Sequence, residues 1–121
     1  MSCYFQVGDR DLWNPSNSVA TLFLDQAEAF SRLVGHSSGL GPIVEDECQV
    51  DVARFQKFTG LLVKRYQDSN NRTLRSLTEG FIVVSLVLVQ RAGGEVEEIE
   101  QGYAEMWTAL REAQDRAMPD D

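Results

Sequence analysis

The chain has 121 residues, 43% of them hydrophobic and 25% charged; that is one domain's length with ordinary apolar content, which excludes resting disorder and implies a single packed core. Its net charge of −8 is uneven, with −5 over residues 1–50, +4 over 51–92 and −7 over 93–121. The anionic total excludes non-specific binding to nucleic acid or an anionic membrane and favours a basic protein partner.

The opening MSCYFQVGDRD has no basic segment and no apolar run ahead of its first charges, so it does not read as a secretory signal. The expected location is the cytoplasm, where Cys3 and Cys48 are free thiols. Two short apolar runs flank Gly8-Asp9 and predict a β-hairpin over 1–13, because glycine first in a two-residue loop suits the II′ turn. In that register Phe5 faces Leu12 and Tyr4 faces Trp13. A hairpin alone is marginal in water and must lean on an apolar surface.

A helix is expected over 14–34. Asn14 can cap it with Pro15 at its first position, or Ser16 can cap it one turn later. Val19, Leu22, Phe23, Ala27, Phe30, Leu33 and Val34 keep the spacing of one buried face, and Gly35 ends it. After the loop that contains His36, residues 44–51 read as an extended segment. Val44, Asp46, Cys48 and Val50 share one side, and Glu45, Glu47, Gln49 and Asp51 the other. That is an edge strand with Cys48 as a small hydrophobe.

Asp51 caps the next helix, expected over 51–68, with Val50 and Phe55 as a hydrophobic staple. Residues 72–92 are rich in β-branched side chains through 81–89, yet Leu74, Leu77, Phe81, Ser85 and Leu88 hold helical spacing and Gly93-Gly94 stops the run. A helix apolar on every side belongs at the centre of the fold or in a dimer interface. The run 81–89 is about half the length of a membrane-spanning helix. The last helix is expected over 95–117, with Val96, Ile99, Tyr103, Met106, Leu110, Ala113 and Ala117 as its stripe and Trp107 beside it. Its early Glu95, Glu97, Glu98 and Glu100 and its later Arg111 and Arg116 suit the helix dipole.

The expected fold is therefore mainly α: one four-helix bundle-like domain with a short N-terminal β-hairpin and an added edge strand at 44–50.

No motif names a reaction. A metal site from His36, Asp46, Glu47 and Cys48 is disfavoured because neighbouring carboxylates point to opposite sides of a strand and no CxxC, HxxxH or ExxH spacing occurs. A lone histidine and the absence of a GxSxG elbow disfavour nucleophilic catalysis. Gly39-Leu-Gly-Pro matches no phosphate-binding loop. No metal and no cofactor is expected.

Two groups of residues remain as candidates. Arg54, Lys57, Lys64 and Arg65 fall in one helical sector and, with Arg72 and Arg75, form a cationic stripe for phosphate or an acidic surface, unless Glu97, Glu98, Glu100 and Glu105 neutralise it. Tyr4, Trp13 and His36 are candidates to line a pocket between hairpin and helices. Size and acidity favour a non-catalytic interaction protein that docks a basic partner, in a neutralising (immunity-like) or regulatory role. The alternative is a small enzyme or an enzyme accessory subunit using that pocket. Self-association through the last helix or through 81–89 is compatible with either.

The segments CYFQVGDRDLWNPSNSVATLF, GLGPIVEDECQVD and EGFIVVSLVLVQRAGG resemble a family of small actinobacterial proteins filed as a domain of unknown function. The likeness covers most of the first 94 residues and fades in the last helix. It implies no chemistry and no site residues, but it makes GLGPIVEDECQVD part of a shared framework.

Overall fold

The computed structural model describes residues 1–118. The hairpin forms where its turn chemistry puts it: β1 (Tyr4–Val7) and β2 (Arg10–Trp13) pair antiparallel, and Gly8 takes the positive φ of 63°. The register differs from expectation beyond the turn. A bulge pairs Phe5 with Trp13 instead of Leu12, so both Leu12 and Trp13 turn inward.

Helix α1 (Asn17–Val34) starts at Ser16, whose hydroxyl accepts from Val19 N–H at 3.3 Å, and ends at Gly35 in the left-handed conformation. Ser16 is the cap, not Asn14.

Residues 40–50 overturn the mainly α expectation. They form a second hairpin, β3 (Leu40–Val44) and β4 (Glu47–Val50), and the fold is α+β with a four-stranded mixed sheet in the order β2-β1-β4-β3. The turn of this hairpin is Glu45-Asp46, both at positive φ (51° and 64°), a geometry usually met by Gly, Asn or Asp. β4 lies parallel to β1, with Phe5 beside Cys48, and so is interior to the sheet; β3 is the edge. The alternation expected for Cys48 and Val50 inward and Glu47 and Gln49 outward is present. On the outer face Gln6 donates to Asp11 (2.7 Å) and accepts from Gln49 (3.1 Å), a polar ladder across three strands.

Asp51 caps α2 (Val52–Asp68) by accepting from Arg54 N–H, and after three residues Asn71 caps α3 (Arg72–Arg91) in the same way. Helix α3 is the core of the molecule. Phe81, Ile82, Val83 and all of residues 85–89 are buried, and it packs on α2, β2 and the last helix. Of the described helices only α3 is long and apolar enough to cross a membrane, and half of its apolar window is buried within the fold. Within residues 81–89 only Val84 is half-buried; the other side chains are buried against the rest of the chain.

The last helix is shorter than its stripe predicts. α4 spans Gln101–Arg116, and residues 92–100 form an irregular linker. Like-charged pairs three apart, Glu95 with Glu98 and Glu97 with Glu100, weaken a helix there. Glutamines of α2 replace the missing helical hydrogen bonds. Gln56 accepts from Glu95 N–H (3.1 Å), while Gln67 donates to Glu98 C=O (2.9 Å) and accepts from Glu100 N–H (3.1 Å) and Trp107 Nε1–H (3.3 Å). Val96 is still buried and Trp107 fully so, but Ala113 and Ala117 are exposed.

An aromatic chain joins the layers. Phe23 stacks on Phe81 at 4.8 Å and meets Phe5 and Trp13 edge-on at 5.7 and 5.6 Å, linking the sheet to α1 and α3. Arg91 closes the far end, donating to Leu12 C=O (2.9 Å) and pairing with Asp115 (2.9 Å).

Candidate functional site: an apolar groove beside Trp13

Not all of the expected face of α1 is buried. Leu22 is 60% exposed and Val19 44%, and across from them on α3 Leu77 is 69% exposed. They rim a groove of about 410 Å³ floored by Trp13, Phe23, Phe81 and Val84. Its polar lining is Gln26, Ser76 and Gln114, so no titratable side chain lines it. Such a surface offers apolar area and amide hydrogen bonds, and it carries no acid, base or metal ligand. Gly80 opens the α3 wall between Leu77 and Val84; a methyl there would meet nothing within 4 Å, so the fold itself does not require glycine at this position.

Of the three sequence-derived pocket residues, only Trp13 lines this groove. Tyr4 sits in β1 opposite Glu47. His36 lies just past the cap of α1, its Nδ1 2.7 Å from Ser37 C=O. The fold leaves these three in separate places because the bulge turns Trp13 toward Phe23, while His36 begins the loop that leads away to β3. Spacing places Val19 and Leu22 on a buried face and shows only that Leu77 is helical, so it is exposure alone that identifies the three as site residues. Periodicity cannot separate a buried stripe from an uncovered one.

The cationic stripe is largely paired. Arg54 meets Asp51 at 3.5 Å, Lys57 meets Glu98 at 3.1 Å and Lys64 meets Asp68 at 3.0 Å. Two of these carboxylates belong to α2 and its cap, and only Glu98 comes from the acidic C-terminal part. Glu98 lies flat on α2 because Gly60 has no Cβ to push it away. Arg65 makes no such pair among the described residues. Arg75 donates to Tyr66 C=O (3.2 Å) and Tyr103 OH (2.9 Å) and stands over the Tyr66 ring.

Among the described residues no group of three or more His, Cys, Asp or Glu side chains is placed to hold a metal ion. Both cysteines are free and buried. Burial, reinforced by the neighbouring Cys3, pushes the Cys48 thiol up to about 12, and burial followed by Asp46 raises Cys3. At pH 8 Cys48 is held almost wholly as the unreactive thiol. The native protein is therefore expected to resist a disulfide-exchange reagent at pH 8 until it unfolds; labelling faster than unfolding would contradict this burial. The unfolded thiol loses its proton near 9.0 and the folded one near 12, so the native state binds more protons between those values. Stability should accordingly fall as pH rises above 9, the window set by that same shift.

No curated protein and no solved structure matches the chain. A family model does, over residues 1–120, and so it extends through the last helix, where the resemblance read from the residues fades. Its description is a family of unknown function (DUF6086), and the chain belongs to that family.

Proposed function

We propose that the protein is a non-catalytic interaction protein that docks a basic protein partner. The groove beside Trp13 receives the partner's apolar side chains, and the acidic surface receives its cations. The observation that carries this reading is the exposure of Leu22 (60%) and Leu77 (69%) over an aromatic floor, on a chain of net charge −8. Burying such side chains contributes about 1.5–3 kcal/mol each, which is the energy scale of an interface anchor. Asp25, one turn beyond Leu22 on α1, is exposed and carries negative charge on the helix that forms one wall of the groove. Neutralisation or regulation of a cytoplasmic basic protein is the form this role takes, and two buried free thiols suit a reducing compartment.

The test uses a helical peptide built from leucine and lysine as probe. Its affinity for the protein should fall as salt rises. The double variant Leu22→Asp/Leu77→Asp should bind at least roughly tenfold more weakly, because two apolar anchors are lost. This separates groove docking from plain charge attraction, since the variant is the more acidic protein. Equal or tighter binding by the variant would refute the groove's role.

A further inference from the structure

A larger cavity lies elsewhere. A bowl of about 660 Å³ opens between the C-terminal end of α3, the linker and α4. Leu86, Val89 and Val96 give it an apolar floor, and all three are buried. On the α4 wall Ala104, Thr108 and Arg111 follow one another at helical spacing, and the two small residues make the hollow that Arg111 closes.

Arg111 stands apart from the other half-buried arginines. Arg75 and Arg91 each donate to several carbonyl, hydroxyl or carboxylate oxygens. Arg111 Nε is shielded from solvent and has no hydrogen-bond acceptor among the described residues, and its guanidinium makes no ion pair with a described carboxylate. Of its nitrogens only Nε is shielded; the two terminal nitrogens have no acceptor or carboxylate partner among the described residues either, and a guanidinium presents paired N–H groups that match the two oxygens of a carboxylate.

The linker wall carries Glu95 and Glu97, both exposed. With Arg111 they give the bowl a formal charge of −1, unfavourable for a phosphate dianion. The linker is held in place from behind by Gln56, Gln67 and Lys57, so the walls are set before any ligand arrives.

We infer that this bowl binds a small zwitterion with an apolar body, an amino acid or short apolar peptide. Arg111 holds its carboxylate, Glu95 and Glu97 face its ammonium group, and Leu86, Val89 and Val96 cover its side chains. The inference is independent of the groove.

Amide NMR spectra of the full chain test it, with L-leucyl-L-leucine, isocaproate, isoamylamine and inorganic phosphate as probes. The dipeptide should shift amides of residues 93–99 and 108–111 and bind at least about tenfold more tightly than either singly charged analogue. Arg111→Gln should weaken dipeptide binding by about tenfold without changing the melting temperature. Thr108→Phe, at an exposed position, should fill the bowl and abolish binding; it decides the question if Arg111→Gln does not fold. The inference is overturned if no probe shifts these amides at about 10 mM. Isoamylamine or phosphate matching the dipeptide would also overturn it, as would full dipeptide binding by Thr108→Phe or by a folded Arg111→Gln.

Discussion

Gly39→Ala is expected to lower unfolding free energy by about 3–5 kcal/mol, a large part of the 5–15 kcal/mol typical of a domain. Two effects add. Gly39 has φ 75°, where a side chain costs about 1–2 kcal/mol. A Cβ there would also lie 2.8 Å from Arg54 Cβ, Asp51 O and Phe55 N. Two of those atoms are backbone in the first turn of α2, and they cannot move without disturbing the bond from Asp51 N–H to Gly39 C=O (2.8 Å) that docks the strand on the helix. Gly35→Ala is the control. It has a similar φ of 67° but nothing within 4 Å, so only the conformational cost of about 1–2 kcal/mol should appear. Urea unfolding of both variants measures the difference. If Gly39→Ala cost no more than Gly35→Ala, the close approach of Gly39 to the start of α2 would be wrong.

Gln67→Leu should rank beside it, at about 3–5 kcal/mol. Gln67 is only 8% exposed and satisfies Glu98 C=O, Glu100 N–H and Trp107 Nε1–H together. Leucine keeps most of the volume but leaves those three groups without partners, each at about 1–3 kcal/mol unless water reaches it. Relaxation of the linker toward solvent should recover part of this, so the Trp107 indole N–H resonance and the Glu98 and Glu100 amides should move together. A variant as stable as the wild type, with an unmoved indole resonance, would show that Gln67 does not hold the linker.

What local chemistry dictates was legible. Gly8, Ser16, Gly35 and Asp51 mark the ends of elements because each meets a backbone requirement within a few residues. The second hairpin was not legible, since Gly41 and Pro42 interrupt Leu40–Val44 and break the look of a strand. Glu45-Asp46 also lacks the glycine or asparagine that usually announces such a turn. The start of α4 was misplaced because Val96 and Ile99 continue its periodicity while packing from a linker held by glutamines of another helix. Of the groove, Trp13 was found where strand gives way to helix. Leu22 was read as core and Leu77 only as helical, because spacing shows that a stripe exists and not what covers it.

The parallel pairing of β1 with β4 has a temporal meaning during synthesis. Gln6 must wait for Gln49, 43 residues later, before its sheet neighbour exists. Until that point leaves the ribosome, the first hairpin has two open edges and only α1 to lean on, a species that is barely stable and prone to stick to other chains. Newly made N-terminal fragments ending before residue 47 should therefore be clients for chaperones, and release from them should coincide with the emergence of the second hairpin.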